Sequence, residues 1–312
     1  MVERVILVSP RGFCSGVTRA VAIVERALAV FGPPVYVRRA IVHNGYVVGR
    51  LAAAGAVFVD ELDDVPPGGL VVFGAHGVAA SVRELAKSRG LRVVDATCPL
   101  VAKVHAEVRR YRRAGYDVVL IGHAGHDEVV GTLGQSAGMQ LVEDVADVSR
   151  VHADRQGRVA CVTQTTLRDK EVDPVIEALR ERFPALQQPA AADICFATQN
   201  RQRAIESLAQ RVDVVLVVGD PTSSNSRHLR EAAAETCPRS YLVRSEEDIQ
   251  AAWLSTARVV GVSAGASTPD DLVSAVVEYL CRDGADLQEL AIMEERITFS
   301  LPPSLAVATA EW

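Results

Sequence analysis

No apolar stretch of this chain approaches the roughly 18–20 residues that a membrane span needs. Its start lacks the basic region, apolar run and small-residue cleavage site of a secretory leader; Met1–Val8 runs straight into strand-like sequence. A cytoplasmic protein with no membrane partner is therefore expected. Cysteine is scarce, six in 312 residues, and no CxxC pair occurs. That argues against a disulfide framework and against the usual close-paired structural zinc site. No strand is followed by a P-loop or by Gly-x-Gly-x-x-Gly, so the familiar nucleotide sites are excluded. A net charge of −6 leaves no basic face for nucleic acid. Lysine is nearly missing: of 33 basic residues only Lys87, Lys103 and Lys170 are lysine, a compositional bias from which no function follows.

What remains is ordinary globular sequence, 49% hydrophobic and 23% charged, which excludes a disordered chain. At about 150 residues per domain the length suggests two domains, or three small ones sharing a core. Short Val/Ile/Leu runs (Val5–Ser9, Val71–Phe73, Val93–Asp95, Asp117–Ile121, Arg158–Thr163, Asp213–Gly219, Arg258–Ser263) alternate with helical patterns. The latter include Val17–Phe31, Ala79–Arg89, Pro99–Ala114, Asp173–Phe183, Arg201–Arg211 and Asp270–Arg282. That alternation predicts an α/β fold with mainly parallel, buried strands.

The strand ends carry a threefold rhythm. Cys14, Cys98 and Cys195 each open a series of polar stops. His43 and His76 follow the first, His126 and Thr165 the second, and Ser223–Asn225 and Ser267 the third. Within each series the stops fall roughly 30 and then roughly 65 residues after the cysteine, as a repeated unit would place them. The expected architecture is three similar α/β lobes (14–97, 98–193 and 194–300) arranged pseudo-threefold around a central cavity. Residues 1–13 would pair into one of the sheets, and 301–312 would form a flexible tail or strap. Ligands of open parallel sheets gather at the carboxyl ends of strands, so the stops would converge.

Each of the three cysteines sits at a strand-to-helix junction, where the helix N-terminus favours an anion and lowers a thiol's pKa. They form a candidate metal-ligand set; the competing reading is three packed thiols. A cubane cluster normally takes four cysteines, so three would leave one iron open to substrate. Cys161, Cys237 and Cys281 lie in settings that suggest packing alone. Turns rich in Ser, Asn and His suit phosphate oxygens, although some of these residues also cap helices. Glu128, beside His126 and within reach of Thr165, is placed to relay a proton; Asp127 should point elsewhere, because consecutive residues diverge.

Arg11–Val17, His43-Asn44, Gly74–Gly77, Asp95–Pro99 and Gly122–Glu128 together resemble the 4-hydroxy-3-methylbut-2-enyl diphosphate reductase family, also called LytB-like. Gly131-Thr132, Gly134-Gln135, Thr163–Thr166, Ile194-Cys195, Asn200–Gln202, Ser223–Ser226 and Gly265–Pro269 extend the resemblance, collinear from about Val5 to Pro303. It implies an oxidoreductase catalysing the last step of the non-mevalonate isoprenoid pathway. The allylic hydroxyl of the diphosphate is removed with two electrons and two protons, giving isopentenyl and dimethylallyl diphosphate. The cofactor implied is a 4Fe–4S cluster with three cysteine ligands, mapping to Cys14, Cys98 and Cys195, and one open iron. Substrate-binding residues map to His43, His76, His126, Thr165, Ser223, Ser224, Asn225 and Ser267, and proton transfer to Glu128 with Thr165 and His126. A ferredoxin or flavodoxin is the implied electron donor. Asp127 departs from the family, which often has Pro there. Two other classes stay open: an open-iron hydro-lyase, which needs no reductant, and a non-catalytic metal sensor.

Overall fold

The computed structural model describes residues 2–153 and 157–306. Among the described residues twelve strands follow one another: β1 (Arg4–Ser9), β2 (Val35–Arg38), β3 (Ala56–Val59), β4 (Leu70–Phe73), β5 (Arg92–Asp95), β6 (Asp117–Ile121), β7 (Gln140–Val142), β8 (Val159–Thr163), β9 (Val214–Val218), β10 (Ser240–Val243), β11 (Val259–Ala264) and β12 (Asp286–Ala291). Between and after them lie α1 (Ser15–Phe31), α2 (Gly45–Ala53), α3 (Ala80–Ser88), α4 (Pro99–Arg113), α5 (Asp127–Leu133), α6 (Asp169–Arg182), α7 (Phe196–Ala209), α8 (Ser224–Ala234), α9 (Ala251–Leu254), α10 (Asp270–Cys281) and α11 (Pro303–Ala306).

The strands form three sheets, ordered β10-β9-β11-β1-β12, β3-β2-β4-β5 and β7-β6-β8. Every strand pairing is parallel, as the alternation of apolar runs and helices predicted. β2–β5 make one sheet and β6–β8 another, while β9–β12 accept β1 between β11 and β12.

Contacts group the chain into two compact units. The first holds Met1–Thr18, His43–Val48 and Phe196–Thr298; the second holds Arg19–Val42, Gly49–Cys195 and Phe299–Trp312. In the first unit β9 is buried along its whole length. Val214, Leu216 and Val218 pack with Val273, Val276 and Leu280 of α10. Val215 and Val217 face the opposite way, onto Ile205 and Leu208 of α7 and Leu229 of α8. This two-sided covering explains why the strand reads as an unbroken Val/Leu run. Each such side chain contributes about 1.5–3 kcal/mol on burial. In the second unit β6 divides likewise: Val119 and Ile121 pack with Val172, Val175 and Leu179 of α6, Val118 and Leu120 with Val104 and Val108 of α4.

Two helices begin earlier than the sequence suggests. α6 opens at Asp169, where the Glu171 carboxylate accepts the Arg168 N–H at 2.9 Å, and Pro174 lies inside it. α7 starts at Phe196, directly after Cys195. Its inner face is polar through Thr198, Arg201 and Gln202, all buried, so apolar periodicity appears only from Ala204. Of the tail expected at 301–312, residues 307–312 lie outside the described residues. Before them α11 buries Leu305, whose carbonyl accepts Arg26 Nε at 3.4 Å.

Candidate functional site

In the second unit β6 runs out at Ile121, and the turn beyond it ends in His126. This residue caps α5 by accepting the Glu128 N–H on Nδ1 at 3.2 Å. Glu128, in the first turn of that helix, is 2% exposed. Its carboxylate accepts the Thr165 N–H at 2.7 Å and the Thr165 hydroxyl at 2.9 Å. Thr165, just past β8, is itself buried. Sequence reasoning paired these two residues, and the geometry brings them together. Burial pushes the Glu128 carboxyl up to about 7, against the smaller opposing pull of the two Thr165 hydrogen bonds. A carboxyl whose folded pKa lies above its ordinary value prefers the folded state protonated. Its contribution is therefore complete below about 4.5 and fades as pH rises towards about 7. Chemical denaturation should show stability falling across that window, with a shallower slope in Glu128→Gln.

Asp127 turns away, as expected of neighbouring residues, and pairs with Arg39. Gln164 secures the other end of the turn: its Oε1 accepts the His123 N–H at 3.0 Å. The rings of His76 and His126 stand edge to face, centroids 5.8 Å apart. α5 packs hard against the turn after His76. A Cβ on Gly134 would lie 2.2 Å from the Ala79 methyl, so only glycine permits that approach. Gln135 Nε2 donates across the same seam to Val78 O at 2.8 Å. His105 lies beneath Gly77; burial drives its pKa down to about 4, so it stays neutral at ordinary pH.

Two of the singled-out cysteines belong to this unit. Cys98 is the N-cap of α4, with Pro99 at the first helical position. Its N–H donates to Ala75 O at 3.0 Å, tying it to the His76 turn. The Cys195 N–H donates to Thr165 O at 3.0 Å, tying it to the residue that holds Glu128.

The first unit carries the other predicted residues. Cys14 precedes α1 in a turn begun by Gly12, whose φ of +61° is the left-handed region that favours glycine. The Gly12 N–H reaches Ala264 O at 3.1 Å and the Cys14 N–H reaches Ala266 O at 3.2 Å. From beneath, the fully buried Arg201 of α7 holds the turn. Its Nε and one terminal nitrogen donate to Gly12 O at 3.0 and 2.9 Å, and its other nitrogen meets Glu295 at 3.0 Å. Sequence reasoning assigned Arg201 no role; the available signal was polarity on the inner face of a helix. Arg201→Met should cost about 3–5 kcal/mol, since it leaves the largely buried Glu295 carboxylate without its cation, held only by Asn200 Nδ2 at 3.0 Å, and removes the donors to the buried Gly12 carbonyl. Thermal unfolding measures this.

The turn after β11 gathers three more predicted residues. The Ser267 hydroxyl donates to His43 O at 2.9 Å, and Asn225 Oδ1 accepts the Ala266 N–H at 2.8 Å. Ser223 caps α8 through the Ser226 N–H, with Ser224 beside it, buried. Asn225 Nδ2 is buried with no hydrogen-bond partner among the described residues. A donor left so is costly unless a ligand supplies the acceptor.

None of the six cysteines is in a disulfide. Cys14, Cys98 and Cys195 are partly accessible, whereas Cys161 and Cys237 are buried and burial pushes the Cys161 thiol up to about 11. The packing role expected of Cys161 and Cys237 agrees with their burial. Among the described residues no helix is long and apolar enough to cross a membrane.

Parallel sheets layered with helices, thiols at helix starts, and a buried carboxyl whose pKa burial raises to about 7 define an α/β protein with a candidate catalytic carboxyl. The chain belongs to the LytB protein family, which matches it over residues 5–281. It is 52% identical over 305 residues to the 4-hydroxy-3-methylbut-2-enyl diphosphate reductase of Ralstonia nicotianae, covering 97% of this chain and 94% of that one. It is 53% identical to the enzyme of the same name from Pseudomonas fluorescens, covering 96% and 98%. Among solved structures it resembles the E-1-hydroxy-2-methyl-but-2-enyl-4-diphosphate reductase of Plasmodium falciparum, with TM-score 0.94, 34% identity and 98% of each chain covered.

Proposed function

We propose that the protein removes the allylic hydroxyl of 4-hydroxy-3-methylbut-2-enyl diphosphate with two electrons and two protons. The products are isopentenyl or dimethylallyl diphosphate and water. The observation that carries the reading is the buried Glu128 carboxyl, gripped by Thr165 and tuned towards neutral pH, in a chain of the LytB family.

Cys14, Cys98 and Cys195 are the residues that would hold a 4Fe–4S cluster. Their chemistry fits: three partly accessible cysteines, soft sulfur ligands of the kind an iron–sulfur cluster takes, each at the start of a helix of fourteen residues or more. When bound, such a cluster supplies electrons and one iron with a position left open to an oxygen ligand.

The protein's own groups do the remaining work. His43, His76, Ser223, Ser224, Asn225 and Ser267 bind the diphosphate, largely through neutral donors and helix ends. Asn225 Nδ2 is a donor already buried and waiting for an acceptor. This remote binding energy orients the hydroxyl end of the substrate. Glu128 holds the proton that lets the hydroxyl leave as water. Thr165 presents a hydroxyl to the same carboxylate, and His126 fixes the start of the helix that carries it. A small one-electron protein such as a ferredoxin or flavodoxin supplies the reducing equivalents.

The deciding experiment joins an anaerobic iron and sulfide count with oxidation of a reduced dye. Dye oxidation dependent on the allylic diphosphate supports the reductase. Turnover without any reductant would mark a hydro-lyase, and iron without affinity for the diphosphate would mark a sensor.

A further inference from the structure

The shortage of lysine makes the position of each one informative. Where the chain needs a cation it uses arginine almost everywhere, and Lys87 and Lys170 are both exposed. Lys103 is different. It lies five residues past Cys98 on α4, and its ammonium meets three oxygens at once. These are Ala191 O at 2.8 Å, Ala192 O at 3.1 Å and Asp193 Oδ1 at 2.9 Å.

Three acceptors around one nitrogen match the three protons of an ammonium. A guanidinium spreads its five N–H groups in a flat fork and cannot converge them on one point. The gripped segment is the approach to Cys195. The Asp193 side chain is 1% exposed, and its second oxygen accepts the Thr163 N–H at 3.1 Å. Two residues on, the Cys195 N–H is tied to Thr165 O at 3.0 Å. One rigid helix thus begins at Cys98 and, one and a half turns later, bolts down the chain that presents Cys195.

We propose that Lys103 is a positioning residue that fixes the Cys195 turn relative to the helix begun by Cys98, and that only lysine's compact three-donor head serves. Its meaning for catalysis rests on the assignment of Cys98 and Cys195 as cluster ligands; its test does not.

The experiment compares Lys103→Arg and Lys103→Met with the parent as apoproteins. Hydrogen exchange in peptides spanning 191–195 should accelerate at least tenfold in both variants. Alkylation of Cys195 by iodoacetamide should speed up several-fold relative to Cys98 and Cys14. Iron held after anaerobic reconstitution should fall in parallel. A loss of general stability would instead raise exchange throughout the chain and move all three thiols together, which overturns the proposal. So does parent-like behaviour of Lys103→Arg, which would show that charge alone suffices. If neither variant folds, 15N-lysine labelling of the parent decides: one of three ammonium signals should exchange slowly with solvent, and three fast signals overturn the idea. A parent that holds no iron would defeat the cluster assignment while leaving the exchange and alkylation results to judge Lys103.

Discussion

Glu128→Gln is expected to lower turnover by about 10²–10⁴-fold, the usual worth of a positioned proton donor, while iron content and substrate affinity stay unchanged. The substitution is nearly isosteric. The amide oxygen still accepts the Thr165 N–H that now reaches the carboxylate at 2.7 Å, and the Thr165 hydroxyl can rotate to accept from the new NH2. What the amide cannot do is give up a proton and take another. Because burial brings the carboxyl to about 7, it is close to half protonated at neutral pH, the state best suited to donation. The parent's rate should therefore fall as pH rises through about 7, and that limb should vanish from the residual activity of the variant. Full turnover in Glu128→Gln would remove this residue from proton delivery.

Cys98→Ser should abolish activity and bleach the brown absorbance of the anaerobically reconstituted protein. Serine is among the best N-cap residues, and Cys98 occupies the N-cap of α4, so the helix survives and any defect reports the lost sulfur. Cys281→Ala is the control. Cys281 ends α10, its thiol is held up by burial and by the nearby Asp286, and its removal should leave iron content intact. A colourless yet active Cys98→Ser protein would reject the cluster.

Much of this was written in local sequence. Strands buried on both faces leave unbroken apolar runs, and β9 shows why: its alternate residues serve two different helix layers. Thiols beside helix starts and the nearness of Glu128 to Thr165 were likewise legible, because each needs only a strand end and a turn. The supporting groups were not. Arg201 and Lys103 act on chain 189 and 88 residues away respectively, and no local pattern announces such a partner. Edge strand β12 also escaped notice, since its mostly exposed Asp-Leu-Gln-Glu-Leu-Ala offers no apolar run. Only coordinates reveal Arg39 as the counterion of Asp127.

The place of β1 has a consequence for how the protein is made. It lies between β11 and β12, so the opening segment emerges from the ribosome long before its neighbours exist. The β2–β5 and β6–β8 sheets draw on consecutive stretches and can form as they are synthesised. The Cys14 turn must wait until Ala264 and Ala266 arrive to bind it. The surroundings of that thiol are accordingly completed late, and a chain stalled before residue 259 would leave its first cysteine without the carbonyls that hold its turn.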